Sequence, residues 1–107
     1  MQANLTGTVP VLPISIVTFN VSGNSLSGEI PVAPENMVII DISYNNFTGA
    51  LSKEYHDHPN LRAADFVAND ISRLPKSWES ADDKLTNNPP LEYLYLSDNP
   101  LSVRSAF

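Results

Sequence analysis

The chain has 107 residues, 42% of them hydrophobic, and a formal net charge of −6. This length fits one ordinary domain, and the hydrophobic content is too high for a disordered tail. Phosphate binding needs clustered basic residues, so the scattered Lys and Arg of this acidic chain argue against nucleic acid as a partner. No cysteine is present, which excludes a disulfide framework, a thiolate metal site and a cysteine nucleophile.

The sequence shows no segment typical of membrane insertion or targeting. The longest apolar stretch near the middle, Met37 to Ile40, is far too short to cross a bilayer. After Met1 there is no basic start and no apolar run, so no signal peptide is visible. We expect no membrane insertion by this segment, although the full-length protein could carry a transmembrane helix elsewhere.

A pattern of apolar residues, Asn, hydroxyl residues and Gly recurs along the chain. Its tail first occurs at residues 5–10, LTGTVP, and the whole unit follows at residues 19–31, FNVSGNSLSGEIP. Residues 40–52, IDISYNNFTGALS, repeat the unit, and its centre recurs at residues 64–72, ADFVANDIS, and 94–102, LYLSDNPLS. Because one unit cannot bury its own apolar residues, the pattern predicts stacked coils with a continuous core.

Each unit predicts one short strand. Two apolar residues one apart place one face of an extended segment inward. The predicted strands are residues 19–21, 40–42, 64–66 and 94–96. We expect them to be parallel neighbours in sequence order, about 4.8 Å apart.

An Asn follows the second apolar residue of each strand by three positions. These residues are Asn24, Asn45, Asn69 and Asn99. The chain must turn there, and a buried turn leaves backbone groups unpaired. An inward carboxamide can both donate and accept, so we predict a structural Asn ladder that satisfies backbone groups of neighbouring coils.

Two of the tails carry a family resemblance. Residues 24–31, NSLSGEIP, and 45–52, NNFTGALS, resemble the plant-type leucine-rich repeat, N-x-L-x-G-x-I-P. The chain is similar to ectodomains of plant receptor-like kinases and receptor-like proteins, and to polygalacturonase-inhibiting proteins. The resemblance implies an α/β-type solenoid, a right-handed arc with one short parallel β-strand per coil on the concave face and turns and 3₁₀ segments on the convex face. It also implies that the concave face or its rim binds ligands.

Other parts of the repeat depart from the plant type. Residues 69–75, NDISRLP, lack the Gly and resemble the shorter N-x-L-x-x-L-P repeat of other subclasses. The spacing between ladder asparagines also lengthens along the chain, and the extra residues fall at 53–59 and 77–90. Such insertions map to loops, here on the side away from the strands.

The predicted organisation is one array of four to five coils over the whole chain. The coils are residues 1–10 (partial), 13–33, 34–57, 58–87 and 88–107 (partial). Terminal coils normally need polar caps, and the cysteine-bearing caps of the family are absent. We therefore expect a fragment lacking its caps; the alternative is an intracellular protein of four to five coils.

The exposed strand positions are the candidate ligand-binding residues on the concave face. The column four residues before the ladder Asn is Asn20, Asp41, Asp65 and Tyr95. Tyr93 stands six residues before it, and Tyr44 directly before it. Aspartates on adjacent strands repel each other unless something offsets them, and tyrosine is frequent in binding hot spots. We expect a contact surface; the alternative is a face that is polar only because it meets solvent.

Three sequons make Asn4, Asn20 and Asn46 candidates for N-glycosylation. Asn4 and Asn46 share the position after the ladder Asn, which should point outward. Asn20 lies within a strand on the concave side and is the weakest candidate. The alternative for all three is that the repeat pattern itself generates N-x-[ST].

Other motifs give little indication of chemistry. Residues 56–58, HDH, could supply two metal ligands, but a third must come from elsewhere, and a solvated loop ending at Pro59 is the favoured interpretation. The carboxylates within residues 79–83 read as a solvated surface, and Trp78 is expected to pack a convex turn. No G-x-S-x-G elbow is present. We expect no catalytic residues, no metal and no cofactor.

The leading functional hypothesis is an interaction module of a receptor-like protein at the cell surface or secreted, which binds a protein, peptide or glycan on the concave face. A second hypothesis is a secreted inhibitor of a cell-wall hydrolase, like the polygalacturonase-inhibiting proteins. A third is an intracellular scaffold, which would make the protein cytoplasmic. No hypothesis assigns an enzymatic activity to the chain.

Overall fold

The computed structural model describes residues 5–55, 58–73 and 91–101, with only the backbone of Lys53. These residues form eight short strands and one 3₁₀ segment, Lys53–Tyr55. The strands are β1 (Thr6–Gly7), β2 (Thr18–Asn20), β3 (Ser25–Glu29), β4 (Ile39–Asp41), β5 (Asn46–Ala50), β6 (Ala63–Asp65), β7 (Asp70–Arg73) and β8 (Tyr93–Tyr95). Among the residues described, no helix is long and apolar enough to cross a membrane.

Strands β2, β4, β6 and β8 form one sheet, which we call the concave sheet. All three neighbouring pairs are parallel, and the register aligns Phe19 with Ile40, Ile40 with Ala64, and Ala64 with Leu94. The prediction of parallel neighbours in sequence order is confirmed. Each strand begins and ends one residue earlier than predicted, because the chain starts to turn directly after its third residue.

Strands β1, β3, β5 and β7 form a second parallel sheet. Strands β3, β5 and β7 begin directly after Asn24, Asn45 and Asn69. The sequence analysis treated these tails as turns and did not predict this sheet. The signal was an apolar residue followed directly by a hydroxyl residue in each tail, because neighbouring residues of a strand face opposite sides. Phe47 is fully buried whereas Thr48 is exposed, and Ile71 is fully buried whereas Ser72 is exposed.

At Gly28, in β3, a steric contact explains why the repeat has a glycine. Its φ is +90°, and a Cβ there would lie 2.8 Å from the Thr8 methyl carbon of the coil before. In the fourth coil the matching residue is Arg73, which is not in the left-handed region. The pairing of β5 with β7 shifts register there, from Gly49 opposite Ile71 to Ala50 opposite Arg73. The departure from the plant-type tail therefore becomes an irregularity between two strands.

The core lies between the two sheets and is densest in the middle coils. Fully buried residues come from both sheets and from the segments that return to the concave sheet. They are Met37, Ile40, Ile42, Phe47, Leu61, Ala64, Phe66 and Ile71. Neighbouring coils therefore share one core, as stacked repeats require.

The insertion at 53–59 contributes to this core, although the sequence analysis assigned it to a loop. Tyr55 is 1% exposed, and its ring packs edge to face against Phe66 at a centroid distance of 5.2 Å. Its hydroxyl donates to the carbonyl of Pro31 in the coil before. Burial, and then the charge of Glu54, raises the pKa of Tyr55 well above its ordinary value.

His58 is also buried, which corrects the interpretation of this residue as part of a solvated loop. Its side chain bonds three backbone groups. Nε2 lies 2.8 Å from the Pro34 carbonyl, and Nδ1 accepts from the N–H groups of Asn60 and Leu61 at 3.0 Å each. Nε2 therefore joins His58 to the preceding coil, whereas Nδ1 closes the turn that follows His58. Residues 56 and 57 of the proposed metal motif lie outside the described residues.

We predict that Tyr55→Phe destabilises the fold at neutral pH by about 1–3 kcal/mol, because it leaves the buried Pro31 carbonyl unpaired. An unfolded tyrosine ionises near pH 10, whereas folded Tyr55 keeps its proton. The unfolded state then binds fewer protons above pH 10, so this tyrosine lowers stability as pH rises. The deficit of Tyr55→Phe should therefore shrink between pH 8 and pH 11 in urea unfolding.

The matched control for this prediction is Tyr93→Phe, since Tyr93 is 54% exposed. It should unfold like the unsubstituted chain at both pH values. Equal behaviour of the two variants at neutral pH would contradict a structural role for the Tyr55 hydroxyl.

Candidate ligand-binding face

The concave sheet presents two rows of side chains on its outer face. The register aligns the predicted column Asn20, Asp41, Asp65 and Tyr95 in one row. It aligns Thr18, Ile39, Ala63 and Tyr93 in the other. The middle residue of each strand points into the core, so the alternation of a half-buried strand sets these two rows.

The last described strand supplies an aromatic platform, Tyr93 and Tyr95. Their rings are stacked with an interplanar angle of 8° and a centroid distance of 6.4 Å. They are 54% and 50% exposed. Two half-exposed rings aligned along one strand offer a flat apolar surface with hydroxyl groups, which suits an apolar side chain or the face of a sugar. Ile39, 41% exposed, adds apolar area to the row of Tyr93.

The aspartates of the other row have a local structural role that the sequence analysis missed. Oδ1 of Asp41 accepts from the N–H of Ser43 at 3.0 Å and from its hydroxyl at 2.6 Å. Oδ1 of Asp65 accepts from the N–H of Val67 at 3.1 Å. These Asx turns end the strands one residue earlier than predicted. For Asp41 the available signal was a Ser two residues later, whereas Asp65 is followed at that distance by Val67.

Asn20 forms the same turn in the second coil. Its Oδ1 accepts from the N–H of Ser22 at 3.0 Å and from the Ser22 hydroxyl at 2.9 Å. An amide therefore serves this turn as well as a carboxylate does. The charge of Asp41 and Asp65 is not required for the turn, and their register still places like charges on neighbouring strands.

Tyr44 lies in the turn that follows β4 rather than in either strand row. Its φ is +55°, and Ala68 and Asp98 take the same left-handed conformation at the matching positions. Gly23 occupies the fourth position with φ of +73°. A positive φ is unfavourable for a residue that has a Cβ, so the tertiary structure imposes this conformation on Tyr44, Ala68 and Asp98. The side chain of Tyr44 is 61% exposed beside the rows.

The side chains of the predicted Asn ladder form hydrogen bonds to backbone groups of their own coil and of the preceding coil. Asn45 is 6% exposed, and its Oδ1 accepts from the N–H of Leu26 at 3.0 Å. Its Nδ2 donates to Val21 in the preceding coil at 3.0 Å, and to Ile42 and Ser43 in its own coil at 3.1 Å each. One carboxamide therefore closes its own turn and joins it to the coil before.

The other ladder residues repeat this geometry. Oδ1 of Asn24, Asn69 and Asn99 accepts from the N–H groups of Leu5, Phe47 and Ile71 at 2.8–3.0 Å. The Nδ2 groups donate to carbonyls of their own strand ends, and those of Asn69 and Asn99 also reach the preceding coil. Coil spacing along this edge is therefore fixed by side chains as well as by strands.

The sequons differ in geometry. Asn46 and Thr48 are exposed in β5, and fully buried Phe47 lies between them. Asn20 is exposed on the concave sheet, but its amide oxygen is already engaged by Ser22. Asn4 lies outside the described residues. The Asn46 sequon therefore has both polar side chains exposed, whereas the exposed Asn20 and Ser22 are bonded to each other.

The remaining motifs carry no site within the described part of the chain. Trp78 and the carboxylates of residues 79–83 lie outside it. Residues 5–55, 58–73 and 91–101 contain no group of three or more His, Asp or Glu that could hold a metal ion.

A family model described as Leucine Rich Repeat matches residues 15–37 and 90–107. The two matched segments include β2 and β8, the first and last strands of the concave sheet. The two parallel sheets, with one strand of each in the three middle coils, agree with this match. The fold is that of a leucine-rich-repeat solenoid. The search of curated proteins gave no match.

We predict that Asn45→Ala destabilises this leucine-rich-repeat fold by about 1–3 kcal/mol, because it leaves buried backbone groups unpaired. The matched control is Asn46→Ala, since the neighbouring Asn is exposed. Chemical unfolding followed by circular dichroism measures both. If Asn45→Ala unfolds at the same denaturant concentration as Asn46→Ala, the ladder does not stabilise the fold.

Proposed function

We propose that this leucine-rich-repeat chain is the ligand-binding module of a receptor-like protein at the cell surface or secreted, and that its concave face holds a protein, peptide or glycan. Leucine-rich repeats are suited to binding proteins, because the solenoid presents an extended surface that the core does not need. The observation that supports this face is the register that places the aspartates beside the aromatic platform.

The chemistry of the face favours a ligand with two different ends. Asp41 and Asp65 are on neighbouring strands, about 4.8 Å apart. A Lys or Arg side chain or a free amine placed between them would relieve their repulsion. Tyr95 continues the same row on the next strand, so an apolar side chain or a sugar ring next to that cation would lie on the platform.

The two halves of the face should affect different rate constants. Exposed carboxylates attract a cationic ligand over a distance and are screened by salt, so they act mainly on association. The stacked rings make short-range contacts that must break when the ligand leaves, so they act mainly on dissociation. Binding should therefore weaken as ionic strength rises, through slower association.

We predict that ligands selected from a displayed peptide library or a glycan array on the whole chain will be enriched in Lys, Arg or sugars that stack on tyrosine. For such a ligand, Asp41→Asn/Asp65→Asn should lower the association rate about threefold to tenfold. Tyr95→Ala should raise the dissociation rate, whereas Tyr95→Phe, which keeps the ring, should not. Surface plasmon resonance at two salt concentrations measures these rates.

The double variant is a fair test because Asn20 shows that Asn maintains the turn. Its charge-matched control is Glu54→Gln/Asp70→Asn, two exposed carboxylates outside the concave sheet. Equal association rates for the two double variants would remove the aspartates from the binding site. Ligands that are insensitive to Asp41, Asp65 and Tyr95 in folded variants would contradict the concave face as the site.

The extracellular part of the proposal is tested separately. On expression through a eukaryotic secretory route, we predict a glycan at Asn46, because both polar side chains of its sequon are exposed. Mass spectrometry should show the added mass in the unsubstituted chain and not in Thr48→Ala. A folded, secreted product that is bare at Asn46 would count against the extracellular assignment and leave the binding proposal standing.

A further inference from the structure

A groove of about 570 Å³ lies between the return segments of the first two coils. These segments, residues 9–14 and 29–35, connect the second sheet with the next concave strand. We call this feature the return groove. A volume of this size holds a drug-sized molecule or a few peptide side chains. Its lining residues are outside the strands of the concave sheet, so the groove is separate from the candidate ligand-binding face.

The return groove is bordered by apolar side chains that the fold leaves in solvent. Val11 is 96% exposed, Ile14 68% and Val32 66%, and all three line the groove. Single exposed apolar residues are ordinary, whereas several around one concavity mark an interaction site.

In the return segment of the third coil, an aromatic side chain covers the corresponding apolar surface. There Tyr55 is 1% exposed and its hydroxyl donates to Pro31, which itself lines the return groove. The return segments of the first two coils contain no aromatic residue. The return groove therefore has no aromatic side chain of its own that could cover it as Tyr55 covers Pro31.

The charge around the return groove has one sign. Glu29 and Glu35 line it, and both are exposed. The sequence contains no Lys, Arg or His before Lys53, so the first two coils have no basic side chain of their own to pair with these carboxylates. A ligand for the groove would therefore be complementary if it carried positive charge next to a large apolar group.

We propose that the return groove is a second binding site, which takes a peptide segment with an aromatic or large aliphatic residue flanked by Lys or Arg. The apolar side chain enters between Val11, Ile14 and Val32, in the way that Tyr55 covers Pro31. The flanking cations meet Glu29 and Glu35. The solenoid can then hold one partner on its concave face and another on the return side of its first coils.

The probe is an acetylated and amidated peptide, Lys-Phe-Lys-Leu-Lys, titrated into the whole isotope-labelled chain and followed by NMR. Two peptides serve as controls, Glu-Phe-Glu-Leu-Glu and Lys-Ser-Lys-Ser-Lys. The first peptide should shift the signals of Val11, Ile14 and Val32. The acidic peptide should bind at least roughly tenfold more weakly, because its charges face carboxylates. The serine peptide should shift none of the three signals.

Two matched pairs of variants locate the interaction. Glu29→Gln/Glu35→Gln should weaken binding of the first peptide roughly threefold to tenfold, and Glu54→Gln/Asp70→Asn, with the same change in net charge, should leave it within about twofold. Val32→Ser should weaken it roughly threefold or more, whereas Val17→Ser, which alters a valine 50% exposed outside the groove, should not.

Three outcomes would overturn the proposal. The first is a set of shifts confined to the concave sheet around Asp41 and Asp65. The second is equal binding of the basic and acidic peptides. The third is a concentration-dependent dimer that Val32→Ser disrupts in sedimentation equilibrium, which would assign the groove to a second copy of this chain. Each outcome leaves the proposal for the concave face to be judged by its own variants.

Discussion

The hydrogen-bonding capacity of one carboxamide per coil governs this architecture. At the end of each concave strand the chain turns through the interior, where unpaired N–H and C=O groups carry a large free-energy cost. Asn45 has one acceptor and two donor hydrogens, and it uses them on backbone groups of two coils. Because the same side chain closes the turn and joins the neighbouring coil, each coil is positioned relative to the one before it. Stacking in register then follows, and with it the alignment of the exposed rows.

The exposed rows depend on that alignment and on the turns that follow the strands. Residues 21, 24 or 30 positions apart in the sequence become neighbours because the ladder keeps the strands in step. The aspartates serve the turn through an oxygen that Asn20 provides equally well, so their negative charge is an addition that the fold does not need. The proposed recognition of a cation would use this charge. Tyr95 occupies the same column as the aspartates, and its side chain has no such structural role in a turn.

The return segments differ in how completely their own side chains bury the apolar surface. Tyr55 and His58 show that the longer third return segment supplies side chains that reach back to Pro31 and Pro34. The shorter segments before it contain Pro, Val and Ile, and their apolar groups stay exposed. The insertion at 53–59 therefore does more than extend a loop. Its Tyr55 side chain reaches back to Pro31, whereas apolar side chains around the return groove stay in solvent.

The sequence determined the repeat, the parallel order of the concave strands, the identity of the ladder residues and the columns of exposed residues, because each follows from a fixed spacing between residue types. The tertiary structure alone decided three other matters. The tails pair into a second sheet only when coils are stacked, since parallel strands need a partner coil. Tyr44 and Ala68 take positive φ only because the ladder and the strand on either side fix the turn, and Gly23 was the one local indication. Tyr55 and His58 became core residues because their partners, Pro31 and Pro34, are 24 residues away in the chain, and no local pattern encodes a contact of that length.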